Sequence, residues 1–138
     1  MKPKRQILTI VGFIVIATTI LCPFVRAQRS SLININKIQF ARDPNGQRGL
    51  TMFEPKDHLI YCIAGISNPS ADVKYKFVWS FYDRTNNQRQ ELFTQELDNQ
   101  TTNEVISKFS SPHDLAAGSY TVEIFINDKS RATRKFYV

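Results

Sequence analysis

Between positions 73 and 81 a large apolar side chain stands at every second residue: Val73, Tyr75, Phe77, Trp79 and Phe81 alternate with Lys74, Lys76, Val78 and Ser80. A period of two puts all five on one face of an extended strand, and no helical period gathers them. At about 1.5–3 kcal/mol for each fully buried large apolar side chain, this row makes the largest single contribution to a core. A register slip of one residue would expose the whole row, so the strand has only one workable orientation against a second layer.

The rest of the chain after position 28 repeats this design in weaker form. Alternation and turn residues predict further strands at 34–40, 58–65, 90–97, 103–110, 118–127 and 131–138, with a short one at 49–53 that pairs with the first. Asn45-Gly46 supplies a tight turn between the first strand and 49–53, and Asn127-Asp128-Lys129-Ser130 a hairpin turn near the end. Asn68-Pro69-Ser70, Thr85-Asn86-Asn87 and Asp98-Asn99-Gln100 punctuate the remainder. About seven short strands in one all-β domain imply a two-sheet sandwich with Greek-key connections, with a small closed barrel as the competing architecture. With 138 residues, 42% of them hydrophobic, the chain has material for one modest core.

The first 27 residues read as an address rather than as part of that domain. Lys2, Lys4 and Arg5 precede an apolar run from Ile7 to Leu21, followed by Pro23 and by Val25 and Ala27 at signal-peptidase spacing. Cleavage after Ala27 would leave residues 28–138. An uncleaved anchor is the alternative, since a membrane span needs roughly 20 apolar residues. Either way the domain is expected outside the cytoplasm, secreted, periplasmic or in the envelope, and touches a membrane only through this segment if it is retained. Leu21 is not the small residue that lipidation at Cys22 would want.

Charge and cysteine content follow from the same division. The net charge of +6 includes Lys2, Lys4, Arg5 and Arg26, and residues 28–138 retain 14 basic against 12 acidic side chains. No clustered basic footprint for nucleic acid remains. Cys62, within Leu-Ile-Tyr-Cys-Ile-Ala, is the lone cysteine of the domain and is expected to be a buried, inert thiol.

Three placements resemble an immunoglobulin-like domain. A strand carrying Cys62, a following strand with a central tryptophan at Trp79, and the segment Ala117-Gly118-Ser119-Tyr120-Thr121-Val122 look like strands B, C and F of that fold. Tyr120 occupies the tyrosine-corner position, and Val122 stands where antibody-type domains place their second cysteine. Together with the segments around 53–68, 74–82 and 116–138, these features resemble the immunoglobulin-like β-sandwich that recurs in bacterial extracytoplasmic proteins, over roughly residues 49–138. The resemblance implies the fold; its shared residues are core and turn residues, so it assigns no function to any side chain.

No constellation for catalysis stands out. His58 and Cys62 share a strand face but lie about 13 Å apart in extended chain. His113 and Asp114 read as turn residues. Glu91, Glu96, Asp98 and Glu104 fall on or around an expected hairpin of the fourth and fifth strands, where the ordinary reading is a solvated face. Neither a metal site, a cofactor-binding pattern nor a nucleophile elbow is present in the sequence, so a non-catalytic domain is expected. With Phe77, Trp79, Phe136 and Val138 inward, the outer face of the C, F and G strands gathers Val78, Tyr82, Phe125 and Tyr137 beside Lys74, Lys76 and Lys135. Exposed aromatics rimmed by charge suit a docking surface for an envelope or extracellular protein. Alternatively, Tyr82 and Tyr137 serve as stacking platforms for a carbohydrate or other small ligand.

Overall fold

The computed structural model describes residues 32–138, and the leader expected at 1–27 lies outside the described residues. Seven strands form two antiparallel sheets: β1 (Asn34–Ala41), β2 (Leu59–Ser67), β3 (Tyr75–Asp83), β4 (Gln88–Leu97), β5 (Glu104–Ser110), β6 (Ser119–Ile126) and β7 (Lys129–Tyr137). One sheet has the order β1-β2-β5 and the other β4-β3-β6-β7. The chain crosses between layers after β2, after β4 and after β5, which is a sandwich with Greek-key connections and not a closed barrel.

The alternating row does what its period demands. Tyr75, Phe77 and Trp79 are buried on the inner face of β3, Val73 is buried just ahead of it, and Phe81 is half-buried at its far end. β3 therefore begins two residues later than the alternation suggests. Lys74 is tied instead to the β6–β7 turn, its N–H donating to Asn127 Oδ1 at 3.0 Å while its carbonyl accepts from the Asn127 N–H at 2.9 Å. That turn is the two-residue kind that requires φ > 0 at both central positions, here +48° at Asn127 and +63° at Asp128.

The segment expected as a short strand at 49–53 is a strap between the sheets. Leu50 donates to the Phe40 carbonyl of β1 at 2.8 Å. Three residues on, Phe53 donates to the Tyr137 carbonyl of β7, and Tyr137 donates back to Thr51. One bridge on each side is all it forms, because it must leave one layer and join the other within four residues. Arg42 pins the loop ahead of it with a two-pronged ion pair to Asp57, both contacts at 2.8 Å.

A second correction concerns β4. The expected hairpin between the fourth and fifth strands does not exist, because those strands lie in different sheets. A four-residue turn returns β4 alongside β3, and residues 98–103 carry the chain across to β5. Glu91 and Glu96 therefore stand on β4, Asp98 in the crossover and Glu104 on β5, so they form no shared acidic site.

Polar groups inside the sandwich stitch the layers together. Trp79 Nε1 donates to Ser107 Oγ at 2.9 Å, and Ser107 in turn donates to Gln95 Oε1 at 2.9 Å. This relay joins β3, β5 and β4 across the two sheets. Replacing Ser107 by alanine would leave the buried indole N–H without an acceptor, an expected loss of about 1–3 kcal/mol. Trp79 is the only tryptophan of the chain, so its fluorescence during urea unfolding measures the loss directly; an unchanged midpoint would show that the relay adds no stability. At the tyrosine corner, the Tyr120 hydroxyl donates to the Ala116 carbonyl at 2.8 Å, as the resemblance implies. Cys62 is fully buried opposite the β3 row.

Candidate functional site

The outer face of β4-β3-β6-β7 is laid out by register. Lys76 of β3 lies between Glu96 of β4 and Phe125 of β6, Val78 between Thr94 and Glu123, and Ser80 between Glu91 and Thr121. A β-bulge between Glu91 and Phe93 twists β4 away from its neighbour. The resulting recess, of about 540 Å³, has Val78 and Ser80 as its floor and Lys76, Arg89, Glu91, Thr94, Glu123 and Phe125 as its walls.

Its walls are electrostatically organised. Lys76 Nζ lies 4.5 Å from the centre of the Phe125 ring and 3.5 Å from Asp128 Oδ1. Arg89 Nη2 contacts Glu123 Oε2 at 3.1 Å, and the Ser130 hydroxyl donates to Glu123 Oε1 at 2.6 Å. The Ser130 hydrogen bond, with Arg89 adding to it, holds the Glu123 carboxyl below the usual carboxylate range against the opposing effect of burial. The pair therefore keeps both charges at neutral pH and dissolves only as pH falls through that lowered value. Thr94 donates to Glu91 Oε1 at 2.7 Å. On the floor, the Ser80 hydroxyl is buried, with no hydrogen-bond partner among the described residues.

The seven expected site residues all lie on this side of the molecule but do not form one patch. Lys76, Val78 and Phe125 line the recess. Tyr82 and Tyr137 flank Ser119 in a separate row, 36% and 43% exposed, and share a second hollow of about 390 Å³ with Arg84, Asp83 and Gly118. The Tyr82 hydroxyl also bonds Asn87. Lys74 precedes β3 and faces Glu96 at 3.9 Å beside Asp98 and Asn99, away from the recess. Lys135 stands exposed on β7 opposite Thr121 and lines neither hollow. Residues four positions apart on a strand are about 13 Å apart, which is why a shared face does not make a shared site.

Sequence reading did not bring Arg89, Glu91, Thr94 and Glu123 to the recess. Glu123 shares the outer face of β6 with Phe125, and the three β4 residues can be placed only once β4 is known to pair with β3. Elsewhere, His58 Nε2 meets Asp114 Oδ1 at 2.8 Å at the surface, while Ser111 Oγ donates to the His113 carbonyl rather than to the imidazole. His113 thus sits in a hydrogen-bonded turn. Among the described residues no group of three or more His, Cys, Asp or Glu side chains is placed to hold a metal ion.

Neither a protein-family model nor a curated protein matches this sequence. Among solved structures, an immunoglobulin-like protein from Pseudomonas aeruginosa is similar over 77% of this chain and 95% of its own, with a TM-score of 0.53 and 14% identity. The alkylpurine DNA glycosylase of Pseudomonas fluorescens, solved with DNA containing an abasic-site analogue, matches over 76% of this chain and 30% of its own, with a TM-score of 0.46 and 10% identity. The first of these likenesses, with the two antiparallel sheets, makes the domain an immunoglobulin-like β-sandwich.

Proposed function

We propose that this immunoglobulin-like sandwich is a non-catalytic, extracytoplasmic module that binds another envelope or extracellular protein through the outer face of its four-stranded sheet. The observation that carries the reading is the recess in which the Lys76 ammonium covers the Phe125 ring beside Val78, ringed by the Arg89–Glu123 pair and Glu91. An apolar centre with a rim of both charge signs fits the anatomy of a protein interface. The leader pattern at 1–27 supports placement outside the cytoplasm. A second reading, binding of a carbohydrate or similar small ligand, is favoured by Tyr82 and Tyr137 standing on either side of the small Ser119.

One experiment separates the two. A tagged full chain produced in its host is recovered from the envelope fraction with its bound proteins, alongside Phe125→Ser/Lys76→Glu and Tyr82→Ala variants. Loss of two interface anchors is expected to reduce partner recovery about tenfold or more, with thermal unfolding little changed and with Tyr82→Ala as effective as the parent. Recovery unaffected by the double substitution would refute the docking face. Binding on a glycan array that disappears in Tyr82→Ala would select the second reading instead.

A further inference from the structure

We propose that β4 is a self-pairing edge, through which two copies of this chain join their four-stranded sheets antiparallel about a two-fold axis between Leu92 and Phe93. β4 ends its sheet, runs for ten residues and is exposed over most of its length. The other edges are each partly occupied or charged. The strap carries hydrogen bonds to both β1 and the end of β7, and β7 also presents Lys129, Arg131, Arg134 and Lys135, which would repel a second copy. On β5, the Lys108 N–H donates to the Gln95 side chain at 3.3 Å, so that edge is partly occupied. No such cover lies on β4 among the described residues, and at its middle Leu92 and Phe93 are 37% and 40% exposed. A long, uncovered edge with apolar residues at its centre is a template for another strand.

The occupant is argued from charge. Turning Gln88-Arg89-Gln90-Glu91-Leu92-Phe93-Thr94-Gln95-Glu96-Leu97 about its midpoint sets Arg89 of each copy against Glu96 of the other, Gln90 against Gln95, Glu91 against Thr94 and Leu92 against Phe93. Both charged pairs are attractive and no like charges face each other, which favours cross-strand pairing. Directly opposed residues must also share a face of the sheet. In a regular strand Arg89 and Glu96, an odd number of positions apart, would point to opposite faces.

The bulge removes that conflict. Arg89 pairs with Tyr82, Glu91 with Ser80, Thr94 with Val78 and Glu96 with Lys76, so all four lie on the outer face, while Gln90, Phe93 and Gln95 lie on the inner one. The extra residue inserted at Leu92 thus makes the self-complementary register face-matched on both sides of the axis, at 89/96, 90/95 and 91/94. With both copies bulged beside the axis, neither runs out of step. On the inner side Phe93, 40% exposed, stands beside the axis and is free to pack against the second copy. Such a contact is isologous and closes at two copies. It shares Arg89, Glu91 and Thr94 with the walls of the recess, but the Phe125→Ser/Lys76→Glu substitution that tests the docking face touches no β4 residue, so either can fail alone.

The test is a charge swap in two differently tagged, co-expressed full chains. Arg89 and Glu96 have side chains 47% and 53% exposed, so Arg89→Glu and Glu96→Arg are expected to leave the fold intact. Wild-type copies should recover each other. Arg89→Glu paired with itself, and Glu96→Arg paired with itself, should each fall about tenfold or more, since both cross-strand pairs become repulsive. Co-expressing Arg89→Glu with Glu96→Arg should restore recovery, because that mixed pair again sets opposite charges against each other at both ends of the strand. Failure of the wild-type copies to associate, undiminished self-association of either variant, or no restoration in the mixed pair would each overturn the proposal.

Discussion

Truncation of Phe136 to alanine is expected to destabilise the domain by about 3–5 kcal/mol, the range for deleting a buried aromatic ring. Its ring is completely buried and joins four others, with centroids at 4.8 Å from Phe40, 5.1 Å from Tyr120, 5.4 Å from Phe53 and 6.1 Å from Trp79. Phe40 belongs to the opposite sheet and Phe53 to the strap, so this one side chain holds β7 to both. Beyond its ladder with β6 and its hydrogen bonds to the strap, β7 has little else to anchor it, for seven of its nine residues are exposed and four are cationic. In a domain of this size the loss should lower the melting temperature by roughly 15 °C or more. Ile106→Ala, at an exposed position of β5, serves as the control and should move it only slightly. A thermal melt of Phe136→Ala within a few degrees of the parent would contradict the description of the core.

The second large effect concerns alkaline pH. Burial pushes the Cys62 thiol up to about 12 from an ordinary value of 9.0. In the unfolded chain the thiol ionises first, so between these values the unfolded state binds fewer protons and stability falls as pH rises. Stability contributed by the neutral thiol is therefore complete below pH 9 and is lost progressively towards pH 12. By pH 11 the thiol alone should remove roughly 2–3 kcal/mol. Tyr75 and Tyr120, also raised by burial, act in the same direction but are common to the parent and a Cys62→Ala variant. Urea unfolding of both proteins from pH 8 to 11 isolates the thiol: the variant should start lower, from its small cavity, and decline less steeply. Parallel curves would show that Cys62 does not titrate as a buried group.

Local pattern and tertiary outcome agree wherever a strand's own sequence carries the information. The row from Tyr75 to Trp79 is buried as its period demands, and the outward parity of Lys76, Val78, Tyr82, Phe125, Lys135 and Tyr137 follows from the same alternation. Tyr120 meets the Ala116 carbonyl because both lie in one short segment. β4 was harder to place. Its residues are mostly polar, so no alternation shows which face is inner, and either neighbouring strand could have received it. The bulge that decides its facing leaves no signature in composition.

The candidate site shows the same division. Val78 and Phe125 could be set on the outer face from their own strands, but the recess needed Arg89, Glu91 and Thr94 from a strand whose sheet was not legible. The Trp79–Ser107–Gln95 relay was equally hidden, since it joins strands of two different layers.

The sequence alone determined that this domain is made of short strands, which residues of the strongest ones turn inward, and where several of its tight turns fall. These properties depend on residues one to four positions apart, where sterics and side-chain periodicity act without reference to the rest of the chain. Only the tertiary structure decided that β4 joins β3, that residues 50–53 strap the two layers, and that the expected surface residues are split between separate hollows and an exposed position on β7. Those outcomes depend on long-range pairing, where many registers satisfy the local pattern and the packing of the whole sandwich selects one.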